Sequence, residues 1–292
     1  MGKKFLKWTI RVIASIVLVA SIFYAIVYFN TNSRMNKKFD FDDEIVDIAM
    51  DSITLAEGAH LAKIRGCEDC HGTNLGGKLM IDDAVFGTIS ASNLTSGTGG
   101  LPGNYSERDW MRSLRHGVAK NGRPFVLMPS HESTLMSDKD LAALIAYCSQ
   151  VKPIDNVLAP NRIGPVMRIM AFFDKFPFLP AEKIEHYKPV VILPAVLSSS
   201  ERGKYLSVSC QGCHRSNLKG GEGFVPGAPA IPDISRSGAA GSWTLLQFKK
   251  ALKTGIKPSG VQMNDADMPW KMTAQYKEEE LQALYDYLQT IP

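Results

Sequence analysis

The chain has 292 residues, of which 45% are hydrophobic and 21% charged, a composition that suits globular domains and excludes a disordered or collagen-like chain. The net charge of +4 arises in residues 1–38, which hold seven Lys and Arg and no acid, whereas residues 39–292 hold 26 basic and 29 acidic residues. A slightly acidic body argues against a phosphate-binding surface, so no nucleic-acid partner is expected.

A long apolar segment lies near the N-terminus. Residues 12–29 are 18 consecutive uncharged residues, close to the shortest length that crosses the hydrocarbon core of a bilayer as a helix. A cleaved signal peptide is the alternative, but its apolar region is usually shorter, and no small-x-small cleavage pattern follows this run. We therefore expect a single-pass membrane anchor with basic flanks over residues 1–38. Four basic residues precede the run and three follow it, so charge alone barely sets its orientation.

Four of the five cysteines belong to a repeated motif. The sequence C-x-x-C-H occurs in residues 67–71 and again, 143 residues later, in residues 210–214. An Asn-Leu pair and a pair of glycines follow each copy, and a Met-Pro pair comes later in each half. The repeated order indicates tandem duplication of a module of about 95 residues. Because this chain is neither short nor rich in cysteine, a disulfide framework is not expected.

The clearest predicted elements are helices. Ser137 precedes an apolar stripe that ends near Cys148, and Glu278 begins a similar helix at the end of the second module. Thr54 begins a helix that runs towards the first C-x-x-C-H motif. Few alternating apolar runs occur, so both modules are predicted to be all-α. Residues 153–197, rich in proline and aromatics, are expected to be a connector packed across both modules, with a short helix near residues 165–173.

The C-x-x-C-H motif indicates covalent haem attachment. Its cysteines lie one helical turn apart, so both sulfurs can form thioethers to the vinyl groups of one porphyrin, and the adjacent histidine can bind the iron. A zinc site needs four ligands in a closed tetrahedron, for which a histidine directly after the second cysteine is poorly placed. A redox C-x-x-C pair would not explain the histidine of both copies. We therefore expect two covalently attached haems c, and modules that face the periplasm, because this attachment takes place outside the cytoplasmic membrane.

The second axial ligand of each iron is expected well downstream of the histidine. Met128 and Met268 are the candidates, because each lies before the terminal helix of its module and precedes a proline, which favours an extended residue before it. The alternatives are Met136, Met263, Met272 and His131. A His/Met pair raises the reduction potential and leaves no open position for a substrate, so we expect electron transfer and no catalytic activity of the chain itself. The predicted haem-binding residues are Cys67, Cys70, His71, Met128, Cys210, Cys213, His214 and Met268, with the irons bound by His71, Met128, His214 and Met268.

These motifs resemble those of membrane-anchored dihaem cytochromes c, especially the cytochrome c subunits of periplasmic alcohol and gluconate-type dehydrogenases. The likeness covers most of residues 51–292 and includes residues 87–95 and 114–118. The dehydrogenase subunits commonly carry three haems and a C-terminal anchor, whereas this chain has two motifs and an N-terminal apolar segment. The resemblance implies that each module is a cytochrome c domain.

The expected architecture is therefore all-α, with an N-terminal transmembrane helix followed by two tandem cytochrome c domains. The predicted ranges are 1–38 for the anchor, 39–152 for the first domain, 153–197 for the connector and 198–292 for the second domain. The resemblance further implies electron transfer between a periplasmic or membrane donor and a respiratory acceptor. A periplasmic dehydrogenase or a terminal oxidase complex is the expected redox partner, at the bacterial cytoplasmic (inner) membrane.

Two other functions are compatible with two haem motifs. A catalytic dihaem protein, of the peroxidase or thiosulfate-oxidising type, requires one iron with an open or unusual sixth position, and a redox or gas sensor normally brings a signalling domain. Among single residues, Cys148 is expected to be a buried structural thiol. Packing or hydrogen bonding is expected for His116, whereas His60 and His186 carry no motif and are expected to be surface or satisfied groups. Basic residues that could neutralise haem propionates, or simply lie on solvated helix faces, are Arg112, Arg115 and Lys249.

Overall fold

The computed structural model describes residues 2–42, 45–187, 193, 197–223 and 228–292. Part of the predicted connector, residues 188–192 and 194–196, lies outside the described residues. Within the described ranges the helices are α1 (Gly2–Asn36), α2 (Ser52–Ile64), α3 (Cys67–His71), α4 (Glu107–His116), α5 (Ser130–Ser133), α6 (Asp138–Ser149), α7 (Pro165–Phe172), α8 (Ser199–Leu206), α9 (Val208–His214), α10 (Leu245–Thr254), α11 (Trp270–Thr273) and α12 (Glu278–Leu288). Short 3-10 helices cover Pro180–Lys183 and Ala239–Ser242.

A small antiparallel sheet accompanies the helices. Its strands are β1 (Lys78–Asp83), β2 (Gly87–Ala91) and β3 (Arg162–Ile163), paired in the order β1-β2-β3. The prediction of an all-α fold is confirmed, and the sheet is an addition to it. β1 is not predictable from the sequence, because its residues are almost all exposed and show no apolar alternation.

The N-terminal helix α1 is long and apolar enough to cross a bilayer, and almost none of its most apolar stretch is buried by the rest of the chain. The core helix of a soluble protein would be covered on at least one face. The exposure of α1 is therefore compatible with a membrane anchor.

Each module begins with a helix that crosses the terminal helix of the same module at a glycine. In the first module α2 packs on α6 at Gly58, and in the second α8 packs on α12 at Gly203. A Cβ atom at Gly58 would overlap the backbone oxygen of Ala143, and one at Gly203 would overlap that of Ala283. Only glycine allows the helices to approach so closely. The same crossing in both halves supports the duplication inferred from the sequence.

The two modules share one hydrophobic core. The largest buried cluster contains residues of both, among them Ile64 and Leu144 of the first and Tyr276 and Leu281 of the second. The Tyr276 side chain is 1% exposed, and its hydroxyl donates to the backbone oxygen of Ile64 at 3.2 Å. Since a buried hydroxyl needs a partner, this bond fixes the second module against the end of α2.

The described contacts of the connector are with the first module and α1. The Asn156 side-chain amide donates to the Gly76 oxygen at 2.8 Å, the Ile154 N–H donates to Thr95 Oγ1 at 2.9 Å, and β3 pairs with β2. The short helix expected near residues 165–173 is α7. It packs against α1, so the connector joins the first module to the N-terminal helix.

Candidate functional site

Both C-x-x-C-H motifs form short helices, α3 and α9. Among the described residues, which include all five cysteines, no disulfide is formed. Burial raises the pKa of Cys67 and of Cys210 to about 12. Reactive dithiols require a lowered thiol pKa, so these pairs do not suit a redox C-x-x-C centre. Nor does any group of three or more His, Cys, Asp or Glu side chains in the described part of the chain have an arrangement that could hold a metal ion.

The histidine of each motif is oriented by a backbone carbonyl. His71 Nδ1 donates to the oxygen of Ser92 at 2.7 Å, and His214 Nδ1 donates to the oxygen of Pro232 at 2.9 Å. Burial lowers the pKa of both imidazoles, although these carbonyls act in the opposite direction. A neutral imidazole whose Nδ1 carries the proton presents its Nε2 lone pair to a metal. Both histidines therefore present Nε2 in the same way.

The two Met-Pro pairs adopt the same turn. The Ser130 N–H donates to the Met128 oxygen at 2.7 Å, and the Trp270 N–H donates to the Met268 oxygen at 2.7 Å. This i to i+2 bond, with ψ of 50° at Pro129 and 67° at Pro269, is that of an inverse γ-turn. The turn ends the loop at each methionine and starts the short helix that follows, α5 or α11.

Hydroxyl groups fix these turns to the preceding helices. Ser133 Oγ donates to the Leu114 oxygen of α4 at 2.5 Å, and Thr273 Oγ1 donates to the Leu252 oxygen of α10 at 2.8 Å. The carbonyls of α4 and α10 that accept them lie in the last turn, where a helix has no intrahelical donor to offer. Both methionines are therefore held by matching contacts, and both are half-buried.

In the first module these residues surround one cleft. It encloses about 580 Å³ of space, part of it open to solvent. The cleft brings together four of the predicted site residues, namely Cys67, Cys70, His71 and Met128. Met136, an alternative ligand, also lines it but is fully buried in the core. His131, the nitrogen alternative, is not among the residues that line it.

In the second module the corresponding residues hold corresponding backbone positions. Cys210, Cys213 and His214 lie on α9, and Met268 directly precedes the Pro269 turn. Met272 lies at the other module instead, because a Cβ atom at Gly66 would be 3.4 Å from its Sδ. Met263 donates its N–H to the Gly255 oxygen at 2.7 Å in the preceding loop.

The two candidate sites adjoin each other. Glu132 of α5 lies against Gly212 of α9, and Met272 of α11 lies beside Gly66, directly before α3. Each C-x-x-C-H helix is therefore in contact with the short post-methionine helix of the other module. Ser209, the residue before Cys210, lines the cleft of the first module.

Arg65 lies half-buried at this junction. Its NH1 donates to Ser209 Oγ at 3.2 Å, and its guanidinium lies 4.9 Å from the ring centre of Tyr205. Within the described residues its Nε and NH2 atoms are buried without a hydrogen-bond partner, and Arg65 lines the first cleft. Burial of Glu132 raises the pKa of this neighbouring carboxyl to about 7, although Arg65 lowers it. Neither residue is predictable from a local sequence pattern, because their positions depend on contact between the modules.

Several other residues have structural roles. Cys148 is 4% exposed and lies in the core, as predicted. His116 Nδ1 and His186 Nδ1 are 3.0 Å apart and share a hydrogen bond, in agreement with the expected packing role. Arg115 donates to the backbone oxygens of Thr134 and Met136 at 3.0 Å each, which ties α4 to the segment after α5.

Family models match the sequence of both modules. The family model described as cytochrome c matches residues 200–292, and that described as cytochrome C oxidase, cbb3-type, subunit III matches residues 54–148. Each match contains one C-x-x-C-H motif and one Met-Pro turn.

Similar curated proteins are cytochrome subunits. The chain is 27% identical over 264 residues to the fructose dehydrogenase cytochrome subunit of Gluconobacter japonicus, an alignment that covers 82% of this chain and 53% of the relative. It is 27% identical over 271 residues to the cytochrome c subunit of the quinone-type alcohol dehydrogenase of Gluconacetobacter polyoxogenes, covering 83% and 57%. The chain thus spans about half the length of these relatives. A shorter match, 36% over 106 residues, is to the gluconate 2-dehydrogenase cytochrome c subunit of Pantoea cypripedii and covers 35% of this chain and 24% of the relative.

Proposed function

We propose that this chain, which carries two cytochrome c domains and resembles cytochrome c subunits of dehydrogenases, is a membrane-anchored dihaem electron-transfer protein. Each domain binds one haem c covalently, through Cys67 and Cys70 in the first and Cys210 and Cys213 in the second. His71 and Met128 bind one iron, and His214 and Met268 bind the other. The observation that carries the proposal is the repeated histidine geometry, in which a carbonyl holds Nδ1 and leaves Nε2 free.

The residues of the first cleft fit a haem group. Its wall is formed in part by a C-x-x-C-H motif and a methionine, and the buried Nε and NH2 atoms of Arg65 can receive an anionic group such as a propionate. When bound, haem supplies an iron that cycles between the ferrous and ferric states without bonding to a substrate. The protein holds the axial groups in place and excludes water with a buried wall that includes Leu114, Met136 and Leu144.

Contact between the sites supports transfer from one domain to the other. Glu132 lies against Gly212, and Met272 lies beside Gly66, so each C-x-x-C-H motif lies close to a side chain of the post-methionine helix in the other module. The shared core keeps this spacing fixed. Electrons that enter one domain can leave from the other without any movement between the domains.

The proposed location is the bacterial cytoplasmic membrane, with α1 as a single-pass anchor and both domains in the periplasm. The relatives are named as subunits of dehydrogenases, which supports a periplasmic dehydrogenase as electron donor. A respiratory component of the membrane would then be the acceptor.

Intact-mass measurement of the protein matured in a bacterial periplasm tests the proposal. We expect two covalent haems in the natural chain and one in each double variant, Cys67→Ala with Cys70→Ala, and Cys210→Ala with Cys213→Ala. Cys148→Ser is the matched control and should keep both haems. A reductive titration should then consume two electrons per chain. A natural chain that matures with fewer than two haems would refute the dihaem assignment.

A further inference from the structure

The connector helix α7 is fixed to the N-terminal helix by both ring and polar contacts. The Phe23 ring lies 6.2 Å from that of Phe172 and 6.3 Å from that of Phe173. Arg168 lies 4.4 Å from the Tyr28 ring centre and donates to Thr31 Oγ1 at 2.7 Å. These groups are spaced along one side of α1, so α7 has a defined position beside it.

Arg34 of α1 forms a second set of bonds, at the C-terminal end of α7. Arg34 NH1 donates to the Ala171 oxygen at 2.9 Å, and its NH2 pairs with Glu182 Oε2 at 2.5 Å. The bond from Arg34 satisfies a carbonyl at the C-terminal end of α7, where intrahelical donors are lacking. Thr31 and Arg34 lie just beyond the apolar run of residues 12–29, at the level where polar headgroups would begin.

The ring contacts lie farther into the apolar run of α1 than these polar bonds do. Phe23 precedes the end of the apolar run by six residues, which is about 9 Å along a helix. If α1 crosses a bilayer as proposed, Phe172 and Phe173 lie beside the outer part of its span. Helices that lie in the membrane interface bury their apolar face by roughly 5–10 Å, which matches this depth.

The outward face of α7 is apolar. This face contains Val166 and, three, four and seven residues later, Ile169, Met170 and Phe173. The Phe173 side chain is 54% exposed. The opposite side, with Met167 and Ala171, is buried in the second hydrophobic cluster. Val166, Ile169 and Met170 are half-buried. A surface helix in water presents polar residues on its outer side, so the apolar residues of this face favour an apolar environment.

We infer that α7 lies in the outer interface of the membrane and buries its face of Val166, Ile169, Met170 and Phe173 among the lipids. The inference rests on the proposed membrane anchor and names a second element that contacts the bilayer. A lipid surface is the occupant because this face is continuous with the apolar surface of α1 through Phe23. β3 immediately precedes α7 and pairs with β2, so the contact also fixes the first domain against the membrane.

Fluorescence quenching in vesicles tests this placement. An NBD label is attached at Phe173→Cys in the full-length holoprotein, with Cys148→Ser as background, in phosphatidylcholine and phosphatidylglycerol vesicles. Leu246→Cys is the matched control, because Leu246 is 77% exposed in the second domain. Ile169→Cys gives a second position on the same face if the first variant matures poorly. Ile16→Cys on α1 reports separately on the anchor.

We expect nitroxide-labelled lipids to quench the labels at positions 173 and 169 several-fold more strongly than the label at position 246. Aqueous iodide should quench the label at position 246 more strongly than the labels at positions 173 and 169. If the labels at 173 and 169 behave like that at 246 while the label at 16 is quenched by lipid, the inference about α7 fails and the anchor stands. If the label at 16 is not quenched by lipid, the anchor itself fails, and the inference fails with it.

Discussion

The histidines proposed as axial ligands are oriented by a small number of hydrogen bonds. Ser92 and Pro232 supply the carbonyls that orient His71 and His214, at 2.7 and 2.9 Å. These two acceptors lie on segments well after their motifs, and they are repeated in both modules together with the Met-Pro turns. Such repetition supports the proposal that both histidines have the same axial role.

Replacement of a proposed methionine ligand should open one iron. We expect Met128→Ala to produce a high-spin haem and to lower the potential of one haem, by on the order of 100 mV within the roughly 0.8 V that axial ligands span. Met136→Ala is the control, since Met136 lines the same cleft but lies in the core. Optical spectra and a redox titration compare the two. An unchanged spectrum in Met128→Ala and a high-spin haem in Met136→Ala would transfer the assignment to Met136.

Arg65 should raise the potential of the first haem. A positive charge close to the iron disfavours the ferric state, so Arg65→Met is expected to lower the midpoint potential. The expected change is on the order of 1 kcal/mol at an effective dielectric constant of about 20, or a few tens of millivolts for one electron. Arg65→Lys keeps the charge and is the control, measured in the same titration. A potential that falls equally in both variants would show that the guanidinium acts through packing.

At the scale of elements, the sequence specified the helices better than the loops between them. The C-x-x-C-H helices, the terminal helices and α7 follow from motif, capping and periodicity. The sheet does not, because β1 is exposed and β3 has only two residues, so neither shows a pattern. Arg65 and Glu132 were also missed. Each lies near a recognised motif, but its role arises from contact with the other module, which no local pattern encodes.

The glycine crossings offer a test at this scale. Gly203→Ala should favour helix formation locally, yet a Cβ atom there overlaps the Ala283 backbone and forces α8 away from α12. We expect the free energy of unfolding to fall by about 3 kcal/mol, the upper part of the range for overpacking. The comparison is Lys204→Ala, an exposed neighbour on the same helix, which should change it by less than about 0.5 kcal/mol. Chemical denaturation of the holoproteins measures both. A stable Gly203→Ala protein would show that the helices can separate at little cost.

At the scale of the whole molecule, the domains contact each other through matched polar pairs. His60 and Tyr205 each lie two residues after a crossing glycine. Each side chain contacts the third residue of the terminal helix in the other domain. His60 Nε2 bonds to Glu280 at 2.9 Å, and the Tyr205 hydroxyl donates to Asp140 at 2.6 Å. This reciprocity joins the two domains into one unit around the adjacent sites.

The His60–Glu280 pair predicts a pH dependence of stability. Burial alone would raise the pKa of Glu280, but hydrogen bonds from His60 and the Lys277 N–H outweigh it, so the pKa lies below its usual value of 4.5. A carboxyl with a lower pKa in the folded state stabilises the fold above the unfolded pKa, and this contribution is lost as the pH falls through the folded value. Below pH 4.5, the free energy of unfolding should therefore fall less steeply in Glu280→Gln than in the natural chain.

Glu279→Gln is the control for this measurement, because Glu279 is an exposed neighbour on the same helix. Denaturant titrations between pH 6 and pH 3 would follow all three proteins. Identical acid dependence in the natural chain and Glu280→Gln would mean that the interdomain pair does not contribute.

The central claim is that the molecule carries two haems with both axial positions filled, and it is tested most directly by EPR and optical spectra before and after carbon monoxide. The account predicts two low-spin haems whose ferrous spectra do not change when the gas is added. A high-spin haem that binds carbon monoxide in the natural chain would contradict it, and would instead indicate a catalytic or gas-binding iron.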